Sequence, residues 1–463
     1  MSANQVQEVL ITPYMSCKDS GARLQPQATI QLDNTAPVLS TLPVLWWDAC
    51  RSFQTLEGFG GAFTEAGAIT WQQLSLPKRL QVLRDYFCEH SGHGYRLCRV
   101  HMNSCDFSLG NYAHVERPGD TALESFSVER DRQSLLPFIK AAQAVAQSPI
   151  QLLVSPWSPP AWMKSNGQMN HGGSLLPHYA PAWAACYVRF IQAYQAEGLF
   201  VWGVSVQNEP AAEQRWDSCI FSAQQERDFV RDHLGPALEQ AGLGQVRIII
   251  WDHNRDHLVE RAGVVLADPL AARYVWGTGF HWYGENHFEH VQLVHDAWPE
   301  KRLLFTEGCQ EGGPHLGEWA LGERYARSMI NDFNRWTVGW IDWNLVLNMQ
   351  GGPNHVENFC SAPILLDTVN DVLVAQSSYF YLGHFARFAK PGAKRILCAA
   401  SLEALETTGF VNPDGSCVLV VMNRTDKAIV FVLRTNCAGG QCQAVAELPA
   451  HSIATYVCES SSA

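Results

Sequence analysis

The chain has 463 residues, 47% hydrophobic and 17% charged, which describes an ordinary globular protein too long for a single core. Its formal net charge of −12, with no basic run, argues against nucleic acid and anionic membrane surfaces as partners. No apolar stretch approaches a membrane span, and the N-terminus lacks the basic and apolar regions of a signal peptide. A cytoplasmic location is therefore expected, with the 14 cysteines as reduced thiols and no structural disulfide.

Residues 1 to about 52 hold short strand-like runs, Gln5–Thr12 and Ala28–Leu32, broken by Pro, Gly and Asp-Asn. From residue 53 the pattern alternates. Strands are expected at Thr55–Phe63, Tyr95–Met102, Ile150–Trp157, Phe200–Asn208, Val246–Asp252, Val275–Tyr283, Arg302–Thr306 and Val338–Leu347. Helices are expected at Pro77–Phe87, Arg132–Ala146, Pro181–Ala196, Ala223–Ala241, Leu258–Leu266, Phe288–Trp298, Glu323–Trp336 and Gln376–Phe388. Ser75 before Pro77, and Ser222 opening Ala223-Gln-Gln-Glu226 as a capping-box pattern, are start signals. This order predicts an α/β fold, a (β/α)8 TIM barrel over residues 53–388.

After residue 388 the helical periodicity stops, and strand patterns are punctuated by turns such as Asn412-Pro-Asp-Gly415 and Gly439-Gly440. Residues 389–463 are expected to form a small antiparallel β-sandwich, which the strands of residues 1–52 complete.

Active sites of such barrels lie at the C-terminal ends of the strands. Those ends carry Glu65, Arg99 to Asp106, Trp157, Asn208-Glu209, Asp252-His253, His281-Trp282-Tyr283, Glu307 and Trp343-Asn344. Glu209 and Glu307 fall on the fourth and seventh strands, across the mouth from each other, and two such carboxyls suggest glycoside hydrolysis. Pro210 is expected to hold Glu209 extended. His281 and Tyr283 are expected to donate to Glu307, lowering its pKa and keeping it nucleophilic. Arg99, inside a strand, needs a carboxylate partner, with Asp106, Glu209 or Glu307 available. No Gly-x-Ser-x-Gly elbow or His-Glu-x-x-His motif is present, and Asp252, His253 and His281 lack tight metal-ligand spacing, so neither metal nor cofactor is expected.

Nine segments carry a resemblance. They are Gly58-Phe-Gly-Gly-Ala-Phe-Thr64, Arg99-Val-His-Met-Asn-Ser-Cys-Asp-Phe-Ser108, Ser155-Pro-Trp-Ser-Pro-Pro160, Asn208-Glu-Pro210, His281-Trp-Tyr283, Thr306-Glu-Gly-Cys309, Gly339-Trp-Ile-Asp-Trp-Asn344, Gly351-Gly-Pro-Asn354 and Asn412-Pro-Asp-Gly-Ser416. In that order they resemble glycoside hydrolase family 30, in its acid β-glucosidase (glucosylceramidase) branch. The resemblance implies a cofactor-free retaining β-glycosidase with Glu209 as acid/base, of raised pKa, and Glu307 as nucleophile. It also implies sugar contacts from Asp106, Trp157, Asn208, Trp343 and Asn358, supported by Arg99, His281 and Tyr283. The implied partner is a β-glucoside or glycolipid. A β-xylosidase, a β-1,6-glucanase and a non-catalytic sugar-binding barrel are the alternatives. The chain departs from the lysosomal branch at its N-terminus, at His355, and in the loop after Glu209, on the aglycone side of the site.

Overall fold

The computed structural model describes residues 9–34, 41–437 and 440–459. The run Gln5–Thr12 and the turn Gly439-Gly440 therefore lie partly outside the described residues. Two compact units emerge, one of Phe59–Leu316 with Arg335–Ala375, the other of Met1–Gly58, Gly317–Asn334 and Gln376–Ala463.

The larger unit is built on a closed eight-stranded barrel. Its strands are β1 (Gly58–Phe63), β2 (Leu97–Met102), β3 (Gln151–Pro156), β4 (Phe200–Ser205), β5 (Arg247–Asn254), β6 (Val275–His281), β7 (Arg302–Glu307) and β8 (Thr337–Asn344). Their ladders are parallel. Buried on both faces, such strands read as continuous apolar runs instead of alternating ones. Leu97, Leu153, Trp202, Ile249, Leu304 and Ile341 meet as one buried cluster, each from a different strand. Gly60 lets β1 and β2 close up, because a Cβ there would sit 1.7 Å from the Leu97 carbonyl oxygen.

Helices follow the strands as expected at Leu76–Phe87, Leu135–Ala146, Ala180–Ala196, Leu258–Leu266 and Phe288–Ala297. Those at Ala320–Phe333 and Ser377–Ala386 belong to the smaller unit. The single helix expected over Ala223–Ala241 is broken into Ala223–Phe229, a π-helical turn Val230–Leu234, and Gly235–Gln240. Pro236 lies in the last segment, and a proline inside a helix has no N–H for the ladder. The capping box at Ser222 closes on Gln225. Glu226 turns inward, accepting from the Trp251 amide at 2.7 Å and from Arg261 at 3.1 Å. Ser75 makes no side-chain cap bond. The sequence reading also missed a helix, Glu65–Gln72, capped by Thr64 accepting from the Gly67 amide at 3.1 Å. A three-stranded sheet of Val346–Asn348, Ile364–Asp367 and Val372–Ala375 was missed as well.

The smaller unit holds a ten-stranded sheet in which Val9–Cys17 and Val44–Thr55 join the C-terminal strands. It is antiparallel except where Val44–Thr55 runs parallel to Ile429–Cys437. Leu45, Trp47, Ile396, Leu419, Phe431 and Tyr456 are in its apolar core. The expectation of fully reduced thiols fails here. Cys437 and Cys442 form a disulfide across the hairpin of Ile429–Cys437 and Gly440–Leu448, because antiparallel pairing brings the two ends of this short connection together. No helix of the described residues is long and apolar enough to cross a membrane.

Candidate active site

The strand ends of the barrel deliver their side chains to one cleft of about 220 Å³. Asp106, Trp157, Asn208, Glu209, Tyr283, Glu307, Trp343 and Asn358 all line it. Arg99 and His281, fully buried, lie beneath.

Glu307 ends β7 directly, but Glu209 sits four residues past the end of β4. It is not extended as Pro210 suggested. Its φ is +47°, in the left-handed region, and its N–H donates to the Asp252 carbonyl at 3.0 Å. Asp252 itself has φ +53°. Such conformations cost on the order of 1–3 kcal/mol and persist only where surrounding contacts enforce them. Here the tie between the two chain segments overrides the preference of a residue before proline.

Arg99 organises the floor. Its guanidinium donates to Glu307 at 2.6 Å, Asp252 at 2.7 Å, Asn208 Oδ1 at 2.9 Å and Ser155 Oγ at 2.9 Å. Glu307 was an expected partner, whereas Asp106 and Glu209 are not bonded to it. Asp252 is the partner that sequence reasoning missed, because β5 gave no motif to single it out as a counter-ion. Since Asn208 Oδ1 accepts from Arg99, its NH2 is the end left to donate into the cleft.

His281 does not bond Glu307, contrary to expectation. It lies 3.3 Å from Glu209 and 3.0 Å from Asp252. A register shift between Phe280 and His281 in the β6–β7 ladder accompanies this placement. Tyr283 does as expected and donates to Glu307 at 3.0 Å. Burial raises its hydroxyl pKa well above the ordinary value, so it stays a donor.

The charges form one balanced system. Burial opposes a charge on His281, but the Glu307 carboxylate and the bonds to Asp252 and Glu209 push the imidazole up to about 9. Burial also opposes ionisation of Asp252, yet Arg99 and His281 hold it well below the usual carboxylate range. Glu209 is likewise pulled down, to about 2, by His253 and His281 against the effect of burial. Glu307 is raised by burial and by the neighbouring Glu209 charge, with His281 and Arg99 opposing. The resting pair thus reverses the expected assignment of a raised Glu209 and a lowered Glu307. Two cations facing three carboxyls leave room for one proton, and that proton belongs to the pair.

The other wall is aromatic and amide-rich. Trp157 and Trp343 stack with centroids 5.0 Å apart, and Arg99 lies 4.8 Å from the Trp157 ring centre. Asp106 accepts from Asn354 Nδ2 at 3.2 Å and Asn358 Nδ2 at 3.1 Å. Burial raises it to about 7 despite the Asn358 bond. Gln214, Trp216, His253 and Glu311 also line the cleft. His253 is on β5, where the strand-end reading put it. Gln214, Trp216 and Glu311 come from loops without periodic or motif signal, so only the fold reveals them.

Metal-ligating atoms of Glu209, His281 and Glu307 lie within 4.8 Å of one another. A protonated His281 donating from both nitrogens has no lone pair to offer a metal. The trio therefore suits proton handling better than ligation.

Two family models match the chain, the glycosyl hydrolase family 30 TIM-barrel domain over residues 56–389 and the family's beta sandwich domain over residues 392–456. Lysosomal acid glucosylceramidase of Mus musculus is 37% identical over 401 residues, 83% of this chain and 78% of the relative. The crystal structure of SrfJ from Salmonella typhimurium superposes with a TM-score of 0.91 at 36% identity, over 98% of this chain and 99% of that one. An endo-β1,6-glucanase structure follows with a TM-score of 0.86 at 26% identity, covering 97% and 99%.

Proposed function

The chain belongs to glycoside hydrolase family 30, and from that premise we propose that it is a retaining β-glycosidase acting on a terminal β-glucosidic bond. The observation that carries this reading is the separation of the carboxylates. One oxygen of Glu209 and one of Glu307 lie within 4.8 Å. A retaining pair stands about 5–5.5 Å apart, while an inverting pair leaves room for water at about 6.5–9.5 Å.

The donors differentiate the two carboxylates. Glu307 accepts from Arg99 and Tyr283, which orient it and stabilise its charge as a nucleophile. Glu209 receives longer contacts, from His281 at 3.3 Å, Gln214 at 3.5 Å and His253 at 3.8 Å. A glycosidic oxygen arriving beside Glu209 is an acceptor, so it draws the pair's proton to that side. Glu209 protonates the leaving oxygen as Glu307 bonds the anomeric carbon. Once Glu307 is esterified its charge is gone, and Glu209 remains ionised as the base that takes a proton from the incoming water while the water oxygen bonds the anomeric carbon and the bond to Glu307 breaks. Its proton is then restored. The stacked indoles suit the C–H face of a pyranose, and Asp106, Asn208 and Asn358 supply polar partners for its hydroxyls.

A cleft of this size fits a terminal sugar with its aglycone outward, and the glucosylceramidase relative favours a glucoside or glucolipid. The glucanase relative supports a second reading, cleavage within a β-1,6-glucan. A panel of aryl β-glycosides together with β-1,6-glucan separates them, with aryl β-glucoside as the expected best substrate. Glu209→Ala should spare activated aryl leaving groups and, with azide, yield a β-glycosyl azide. An α-azide would reverse the two roles.

A further inference from the structure

We infer that His355 is a positioning residue for the sugar pocket, latching the 351–360 segment to the loop that follows Glu209 through its ion pair with Asp217. This rests on the reading of Asp106 as a sugar contact. His355 Nε2 lies 3.0 Å from Asp217 Oδ2, with side-chain exposures of 9% and 0%. The backbone of the same residue donates to the Asp106 carbonyl at 3.1 Å. On either side of it, Asn354 and Asn358 hold the Asp106 carboxylate. Asn354 also gathers its own segment, its Oδ1 accepting from the Val356 and Asn358 amides at 3.1 and 2.9 Å.

Asp217 is the fixed end of the latch. Its other oxygen accepts from Ser104 and, at 2.8 Å, from Asn111. Ser104 lies two residues before Asp106, and Gln214 and Trp216, beside Asp217, line the cleft. A single buried carboxylate therefore ties together the segment bearing Asp106, the segment that grips it, and the loop leading away from Glu209. No side chain of the latch touches Glu209 or Glu307 in a hydrogen bond or ion pair among the described contacts, so it acts through Asp106 on the sugar end, not on the aglycone side where the resemblance put His355, and leaves the proton-transfer pair in place.

Protonation matters to the contact. The groups facing His355 are Asp217 and Asp106, with the Cys105 backbone as a further bonding partner. On its own segment Glu357 is exposed. Lys164, bonded to the Ser218 carbonyl, interacts electrostatically with Asp217. A charged imidazole can serve both Asp217 and Cys105, but a neutral ring has one N–H and must give up one of them. Burial disfavours the charge, while Asp217 and Asp106 more than offset it and raise the pKa above the ordinary histidine value. The latch is therefore intact at lower pH and loosens as pH rises through that raised value.

The test is steady-state kinetics on an aryl β-glucoside, for wild type, His355→Phe and His355→Gln, across the range in which histidine titrates. Phe keeps the ring and loses the donors. It should raise KM about tenfold while kcat stays within about threefold, the scale expected when a binding group is misplaced and the chemistry is not. Gln keeps one uncharged donor and should give an intermediate KM that no longer rises with pH. Binding of a glucose-configured iminosugar, measured by calorimetry, should weaken in parallel. If Phe fails to fold, the Gln pH profile alone decides the matter. Unchanged KM in a folded Phe variant, or a Gln variant that keeps the wild-type pH dependence, would overturn the latch. A wild-type enzyme inactive on all β-glucosides would instead overturn the function from which the inference starts.

Discussion

In the ten-stranded sheet, Leu405–Val411 pairs with Cys417–Asn423 from end to end without a register shift, over a core of Leu45, Ile396, Leu419 and Phe431. The barrel mouth differs from this ladder on each count, although the same sheet slips twice where Lys394–Ala400 pairs with Val44–Thr55. Its ladders slip between Gly279 and Phe280 and between Phe280 and His281. Glu209, Trp251 and Asp252 hold positive φ, and Arg99, Asp252, His281 and Glu307 are buried charges. Strand sequences of similar apolar character thus serve two purposes. Regular pairing over an apolar core yields stability, while irregular backbone and paired charges at the mouth yield reactivity at a local cost in stability.

The comparison breaks first at Glu307. Glu307→Gln keeps the shape of the side chain, and should cut kcat on the order of 10⁴-fold or more on every substrate. Its melting temperature should hold, because a charge that burial opposes has been removed. A residual rate near wild type would dissolve the distinction drawn for the mouth.

Arg99→Met should damage both properties. It leaves Glu307 without its guanidinium and Asp252 with His281 alone, and breaking a buried pair costs about 3–5 kcal/mol. Denaturant unfolding would measure it, and a loss below about 1 kcal/mol would show that the mouth tolerates unpaired charge.

His281 gives the pH dependence. Its folded pKa, about 9, lies above the ordinary histidine value of 6.5. Its contribution to stability is therefore complete below the unfolded value and fades as pH climbs from there through about 9. Unfolding free energy should decline over that window in wild type and more weakly in His281→Gln. Parallel curves would place the proton elsewhere.

Asn358→Ala sharpens the sugar side. It removes a donor from Asp106 and should cost glucosides about 1–3 kcal/mol in kcat/KM. If Asn358 also meets the glucose hydroxymethyl group, xylosides, which lack it, should lose much less. Equal losses would mean that Asn358 only orders its loop.

The smallest effect belongs to the sheet. Reducing Cys437–Cys442 opens a loop of sequence separation 5, for which chain entropy allows only about 2 kcal/mol. Melting should shift slightly and kcat/KM not at all. A loss of activity would contradict the separation of roles.

Much of this architecture could be read along the chain. Uninterrupted apolar runs marked the barrel strands, because both of their faces are covered, and turn signals marked the C-terminal strands. Glu65–Gln72 stayed hidden since its short run, with Gly67 inside, shows no clear amphipathic period. The π-turn at Val230–Leu234 was masked by continuous helical patterning. Position on a strand end sufficed to gather Glu209, Glu307, Trp157 and Trp343, since local sequence sets strand ends and barrel closure brings them together.

Sequence alone determined which strand-end residues reach the mouth, because strand periodicity and chain order are local properties, while the loop residues Gln214, Trp216 and Glu311 arrive there only through the fold. Tertiary structure decided who pairs with whom. Arg99 chose Asp252 as well as Glu307, His281 turned to Glu209, and Asp217 gathered Ser104, Asn111 and His355. Electrostatic partnership depends on distances across the barrel and on burial, and both arise only when segments far apart in the chain are packed together.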